Sequence, residues 1–218
     1  MTPLQDQLDE ITSNTRKLVQ PERLAVSEKA VAELFASQIE EKILPVGATA
    51  PHFTLNDATG RPVRSQDLLT LGPLVIKFFR GRWCPYCVTE LETWRDLHPQ
   101  LREAGALFVA ISPQTARQSD FMVGQHSLPF PILTDPASVY ADQFGLAYTV
   151  PAYQRDYYRS ILVNIPFING DDSWRLPLPA TYVIAPDGRI VHAQAHADFR
   201  VRPEPEEALA AVTALLRR

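Results

Sequence analysis

An α/β sandwich around a mixed sheet is the fold class this sequence predicts, and three observations predict it. From residue 46 onward, short apolar runs of strand length alternate with amphipathic helical stretches. Two of the runs, Leu74-Val75-Ile76-Lys77-Phe78-Phe79 and Ala106 to Ile111, are apolar almost throughout, as strands buried on both faces of a sheet must be. The chain then closes with two strands joined by a tight turn, followed by a helix.

The first 45 residues read as a helical extension. Leu4, Leu8, Ile11, Leu18 and Val19 fit one helical face; after Pro21, Val31, Phe35, Ile39 and Ile43 recur every four residues until Pro45 and Gly47 stop the pattern. Neither stripe can be buried alone, so each helix must pack on the main domain or on a second copy in a homodimer. Residues 46–218 form the main domain. His52 to Leu55 suits a short strand, Asn56 to Gly60 a turn, and Ser65 is placed to cap a brief helix through Leu71. After the Leu74–Phe79 strand, Leu91, Trp94, Leu97 and Leu101 mark an amphipathic helix ending near Gly105. The Ala106 strand leads to a helix over Thr115–Gln125 and a short strand over Pro131–Leu133. Asp135-Pro136 reads as an N-cap with proline at the first helical position, opening a helix to Phe144. Residues 147–178 are aromatic and poorly periodic, with a short helix over 152–162. Their Tyr148, Tyr153, Tyr157, Tyr158 and Trp174 are read as packing within a long insert; a cover over the functional site and a subunit contact are the alternatives. Thr181 to Ile184 and Arg189 to Ala195 form a hairpin about Pro186-Asp187-Gly188. A helix from Glu204 to Arg218 closes the chain, with Leu209, Val212 and Leu216 as its stripe.

Composition narrows the function classes. In 218 residues, a net charge of −4 lacks the basic surplus of a phosphate-backbone binder, so no nucleic-acid partner is expected. No run approaches the ~18 apolar residues of a membrane span, and Met1 to Glu10 lacks the features of a secretory signal. A reducing cytoplasm is the expected compartment. There, the chain's two cysteines more often do chemistry or bind metal than staple a fold. Nineteen prolines against nine glycines mark frequent chain breaks rather than disorder.

Those two cysteines lie together, in Trp83-Cys84-Pro85-Tyr86-Cys87, between a buried strand and an amphipathic helix. At such a junction the free N–H groups and positive dipole end of the helix stabilise an anion, and a thiolate is one. Three-residue spacing puts both sulfurs on one helical face, and Pro85 suits the first turn, where its missing N–H has no partner to lose. On this physical ground Cys84 is expected to be the more exposed thiol with the lower pKa. A structural staple is a poor alternative, because closing a four-residue loop yields only roughly 2 kcal/mol against about 4.7 for a 100-residue loop. Zinc is a stronger one, since His192 and His196 share one face of a strand. However, 104 residues separate the half-sites, where compact zinc fingers use about a dozen. Redox chemistry is therefore preferred, with no metal and no cofactor.

The segment Val75-Ile-Lys-Phe-Phe-Arg-Gly-Arg-Trp-Cys-Pro-Tyr-Cys-Val-Thr-Glu-Leu resembles the active-site segment of the thioredoxin superfamily, and more closely its peroxiredoxin-like (alkyl hydroperoxide reductase / thiol-specific antioxidant) branch. Val46-Gly-Ala-Thr-Ala-Pro-His-Phe-Thr-Leu, Val109-Ala-Ile-Ser-Pro, Phe130-Pro-Ile-Leu-Thr-Asp and Pro179-Ala-Thr-Tyr-Val-Ile-Ala-Pro-Asp-Gly-Arg-Ile extend the resemblance across residues 46–218. It implies a thioredoxin-like, peroxiredoxin-type three-layer sandwich and a thiol-dependent peroxidase acting on hydrogen peroxide or organic hydroperoxides. It also implies thioredoxin or glutaredoxin as the reductant. Peroxiredoxins carry Pro-x-x-x-Thr/Ser-x-x-Cys with a glutamate three residues on. Cys87 thus takes the peroxidatic position and Glu90 the acidic one, while Cys84 stands in place of the threonine and Arg80 in place of the proline. The family's late thiolate-stabilising arginine has no counterpart between Pro177 and Ile184, which leaves Arg175 and Arg80 as the nearest substitutes.

Thioredoxin-type enzymes instead attack with the first cysteine and face the pair with a cis-proline, which Pro179 resembles. The alternative functions are accordingly a thiol-disulfide oxidoreductase with Cys84 as nucleophile and a non-enzymatic thioredoxin-fold binding module. Trp83 is expected to shield the sulfurs, Tyr86 lies within the motif, and Arg80 and Arg82 either favour the thiolate or are solvated strand-end charges. His98 is read as surface or core, and His52, His126, His192 and His196 as structural.

Overall fold

The computed structural model describes residues 2–217. The chain opens with α1 (Leu4–Leu18) and α2 (Pro21–Ala36), then a 3-10 turn over Ile39–Lys42. β1 (Thr54–Asn56), β2 (Pro62–Arg64) and α3 (Ser65–Leu69) follow, then β3 (Leu74–Phe78), α4 (Pro85–Glu103), β4 (Leu107–Ser112), α5 (Ala116–His126) and β5 (Ile132–Thr134). A 3-10 turn at Pro136–Ser138 leads to α6 (Val139–Gln143), β6 (Ala147–Thr149), α7 (Ala152–Ser160), α8 (Ile165–Asn169) and β7 (Arg175–Pro177). β8 (Ala180–Ile184), β9 (Ile190–Ala195) and α9 (Pro205–Leu216) complete it.

Seven strands form one mixed sheet in the order β2-β1-β5-β4-β3-β8-β9. β3, β4 and β5 run parallel, and β8 and β9 return antiparallel beside β3. This is the mixed α/β sandwich that the strand and helix periodicities predict. Alternation along β3 sorts its side chains: Leu74, Ile76 and Phe78 join an apolar cluster with α3 and α6 on one face, and Val75 and Phe79 join another with α1, α4 and α9. Lys77 lies on the Val75 face, so a fully buried ammonium points beneath α4.

Leu4 and Leu8 are fully buried in the same cluster as Cys84, Cys87, Leu91 and Trp94, and α1 packs against α4. Leu4 and Leu8 of the stripes that suggested a homodimer contact are therefore covered within the chain, whereas Phe35 of the second stripe is 45% exposed. Leu18, assigned to the first stripe, instead stands 84% exposed at the last residue of α1. On α9 the inward residues are Pro205, Ala208 and Val212, while Leu216 is exposed; Arg218 lies outside the described residues. Asp135 does cap a helix, but a later one. Its carboxylate accepts from the N–H groups of Tyr140 and Ala141, after left-handed backbone at Ala137 and Ser138 breaks the helix started at Pro136. Ser65 is the first residue of α3 rather than its cap, and its hydroxyl accepts the Phe53 N–H instead.

The poorly periodic stretch contains the expected helix, α7, and two features the sequence hid. β6 and β7 pair antiparallel as a separate ribbon, and α8 lies between them in sequence. Three-residue strands are too short to display a period. Val150, Tyr158, Ile165, Trp174 and Leu176 form the insert's own cluster, with Trp83 packed against it.

Candidate active site

The redox turn follows directly from β3. Phe79 N–H still bonds to Ile111 of β4, and the chain then turns through Gly81 to Cys84, which is the N-cap of α4 with Pro85 at its first position. Gly81 has φ +142°, and a Cβ there would lie 2.7 Å from Trp83 Nε1, so the turn needs glycine. Cys87 falls in the first helical turn, and its N–H bonds back to the Cys84 carbonyl at 3.0 Å.

Both cysteines are free thiols and both are buried, Cys84 at 1% and Cys87 at 0% exposure. The greater exposure expected of Cys84 is not found, because α1 and the 147–178 insert close over the helix end on which it sits. Burial pushes the Cys84 thiol well above its ordinary value, and the hydrogen bond it shares with Cys87 adds to that. Burial also opposes ionisation of Cys87, but the Cys84 hydrogen bond and the charges of Arg202 and Arg80 outweigh it and hold that thiol at about 6. The lower pKa thus belongs to Cys87, and the helix terminus does not decide the order. The interaction between the two thiols does, lowering Cys87 and raising Cys84, while Arg202 and Arg80 favour ionisation of both.

Arg202 is the residue sequence reasoning missed. It lies on the segment between β9 and α9, is 4% exposed, and places Nη2 3.8 Å from Cys87 Sγ. Its Nε donates to Glu90 Oε2 at 2.9 Å, and the other carboxylate oxygen of Glu90 pairs with Lys77. Lys77 Nζ also donates to Thr181 Oγ1 at 3.3 Å, across the β3–β8 register that sets these two residues opposite each other. Glu90 is therefore the shared acceptor of two buried cations beneath the thiol pair. Burial holds the Lys77 ammonium below its usual pKa range, against the attraction of Glu90. A lysine inside an otherwise apolar strand was a visible signal for such an acid. Nothing in the spacing around Arg202 separates it from Arg200, which instead pairs with Glu28 and Asp198.

The N-terminal helix holds Arg202 in place. Gln5 of α1 accepts the Arg202 N–H through Oε1 at 3.1 Å, and Glu204 accepts the N–H groups of Leu4 and Gln5 at 2.9 and 3.0 Å. A carboxylate at the amino end of α1 meets both its free donors and its dipole. Tyr86, within the motif, contacts Thr12 of α1 at 3.1 Å and stacks edge-on with Phe199.

Arg80 is also buried, at 1% exposure. It donates to Tyr158 and lies over the rings of Trp83 and Phe199, 4.7 and 4.3 Å from their centroids. Trp83 in turn meets Tyr158 edge-on at 5.1 Å, so the aromatic insert both packs as a unit and covers the redox turn. Arg175 pairs with Asp142 instead and has no part in the thiol site. Pro179 enters β8 through a trans bond; no cis peptide occurs among the described residues, and the cis-proline reading is corrected. A trans bond keeps the chain extended from β7 into β8, where Ala180 pairs with Phe78. His192 bonds to Gln194 at 2.8 Å, His196 stacks on Phe35, His126 contacts Glu92 at 2.9 Å and His98 lies edge-on to Phe130.

A buried pair of cysteines with an arginine guanidinium on one sulfur, at the carboxyl end of a strand in a mixed α/β sheet, defines a thiol oxidoreductase of the thioredoxin-like fold. Residues 46–193 match the AhpC/TSA family, and the chain belongs to it. A Mycobacterium tuberculosis protein whose name assigns it to the peroxiredoxins is 33% identical over 47% of this chain and 67% of its own length. Peroxiredoxin Q of Sedum lineare chloroplasts is 31% identical over 46% of this chain and 53% of that one. A Bacillus thuringiensis protein named thiol-disulfide oxidoreductase ResA is 24% identical over 70% of each. Among solved structures, the peroxidoxin BcpB from Mycobacterium tuberculosis superposes with a TM-score of 0.62 at 25% identity, covering 79% of this chain and 98% of that one. The protein is a peroxiredoxin-like oxidoreductase. α1, α2 and Arg202 all lie outside the matched segment. No described helix is long and apolar enough to cross a membrane.

Proposed function

We propose that this chain reduces hydroperoxides through a Cys84/Cys87 dithiol-disulfide cycle in which Cys87 attacks first. The observation that carries the order is the Arg202 guanidinium, whose Nη2 lies 3.8 Å from Cys87 Sγ. The Cys87 thiolate attacks the terminal oxygen of the hydroperoxide and the O–O bond breaks. A sulfenic acid forms, and the departing alkoxide or hydroxide takes up a proton. Cys84, whose high pKa keeps it a thiol until then, attacks the Cys87 sulfur and expels water to close the disulfide. An external thiol returns the pair to the dithiol state; the resemblance implies thioredoxin or glutaredoxin for that role. Two free thiols running this cycle suit a reducing cytoplasm.

Attack by Cys84 on protein disulfides, the alternative, meets one obstacle: Cys84 is the thiol with the raised pKa. Stopped-flow peroxide consumption tests the assignment. Cys87→Ser should abolish turnover, whereas Cys84→Ser should still be oxidised once but stop at the sulfenic acid. Peroxide turnover surviving in Cys87→Ser would overturn it.

A further inference from the structure

A cavity of about 580 Å³ opens over the redox turn, and its outer wall comes largely from the α1–α2 extension, with Tyr157 and Tyr158 of α7 beside it. Of the two cysteines only Cys84 is on its lining. Hydrogen peroxide has no use for so large a space, and a bulky hydroperoxide would need to reach Cys87. The cavity instead borders the cysteine that a reductant would attack once the disulfide has formed.

Its charge is one-sided. The lining carries four arginines, Arg16, Arg23, Arg80 and Arg200, against the single carboxylate of Glu28, which Arg200 already engages through two contacts. Arg16 and Arg23 have no ion-pair partner among the described residues, and Nε of the buried Arg80 has no acceptor there. Between these cations the wall includes Leu18, Ile161 and Val163. A protein dithiol presented on a broad surface meets α1 and α2 before it meets Cys84. A thiol on a narrow, flexible molecule does not.

We infer that the cavity admits a low-molecular-weight anionic thiol, of the size of a carboxylate-bearing tripeptide, as the reductant of the Cys84–Cys87 disulfide. This rests on the dithiol-disulfide cycle above and assigns its reductive half. The thiolate attacks Cys84 Sγ; the Cys84–Cys87 bond breaks, and Cys87 leaves as the thiolate that Arg202 stabilises. The lower-pKa sulfur is the better leaving group, which favours attack at Cys84. A second small thiol then attacks the sulfur of the first, forming a small-molecule disulfide and releasing Cys84 as its thiol. Two thiols are oxidised and one protein disulfide is reduced.

The disulfide can be made with diamide, so the result is read whether or not peroxide is the physiological oxidant. Its reduction is then followed under anaerobic conditions with glutathione, with the cationic thiol cysteamine and with thioredoxin. After normalising for thiolate concentration, glutathione should outpace cysteamine by about five- to tenfold, and acid quenching should capture glutathione on Cys84. The combined Arg16→Glu and Arg23→Glu variant, altered only at exposed positions, should reverse that preference, and Arg16→Lys with Arg23→Lys should keep it. Rates that follow thiolate concentration alone, a glutathione adduct on Cys87, or faster reduction by micromolar thioredoxin than by millimolar glutathione would each overturn the inference.

Discussion

Arg202 bridges Cys87 and Glu90: Nη2 stands 3.8 Å from the sulfur while Nε donates to the carboxylate at 2.9 Å. One guanidinium thus serves as counter-charge to the thiolate and as partner to a buried acid, a geometry suited to its planar fork and not to an ammonium. Arg202→Met should raise the Cys87 pKa by about 1–3 units, since that is the usual effect of one close opposite charge. Iodoacetamide alkylation of the Cys84→Ser background across pH reads this directly, because only Cys87 remains to react. Arg202→Lys should recover less than half the shift. An unchanged profile in Arg202→Met would remove Arg202 from the site.

Cys87 is held at about 6 where a free thiol sits at 9.0, and that difference has two consequences for pH. Peroxide reactivity should climb as pH rises through about 6 and level off above it. Stability follows the linkage sign for a depressed pKa. Ionisation of Cys87 stabilises the fold fully above about pH 9, contributes progressively less as pH falls toward 6, and contributes nothing below. Urea melts of the wild type and of Cys87→Ser should therefore diverge with rising pH between those limits. A gap independent of pH would contradict the depressed pKa.

Glu90 is fully buried between Lys77 and Arg202. Glu90→Gln leaves two cations without a carboxylate and should cost about 3–5 kcal/mol, as breaking buried ion pairs does. Lys77→Met removes one cation but leaves the Glu90–Arg202 pair, so it should cost less. A Lys77→Met/Glu90→Gln protein less destabilised than the sum of the two would confirm that the residues act through each other. Additive losses in urea melts would show that they do not.

Leu8 is fully buried against the helix that carries the cysteines. Leu8→Ala should cost about 2–5 kcal/mol, the range for a leucine deleted from a packed core. Its unfolding should remain a single transition, with α1 melting together with the redox domain. A separate early transition would mean that residues 1–45 fold as an independent attachment.

Much of the fold was legible because it depends on neighbours in sequence. The apolar run at Leu74–Phe79, the helix stripe from Leu91 to Leu101 and the Pro186-Asp187-Gly188 turn each declare themselves within a few residues. The insert was harder: β6 and β7 have three residues each, and their pairing spans a loop containing two helices. At the site, the structure brings Cys84, Cys87 and Glu90, three residues the sequence singled out, together near the redox turn, and buries Arg80 beside them. Lys77 could have been added, because a lysine in a doubly buried strand requires a partner. The cis-proline reading of Pro179 came from resemblance alone, and the local chain path did not support it.

By itself the sequence determined the layered α/β architecture, the dithiol at the strand-to-helix junction and the reaction class. The first two follow from local spacing, which fixes periodicity, turn geometry and the distance between two side chains on one helical turn; the third came from the resemblance of the motif and its supporting segments to a known family. Only the tertiary structure decided which thiol ionises, which arginine supports it and what lies above the pair. Arg202 comes from 115 positions along the chain to reach Cys87, and α1 crosses the domain to hold it there. A pKa answers to burial and to charge through space, and neither can be read from the order of residues until the chain has folded.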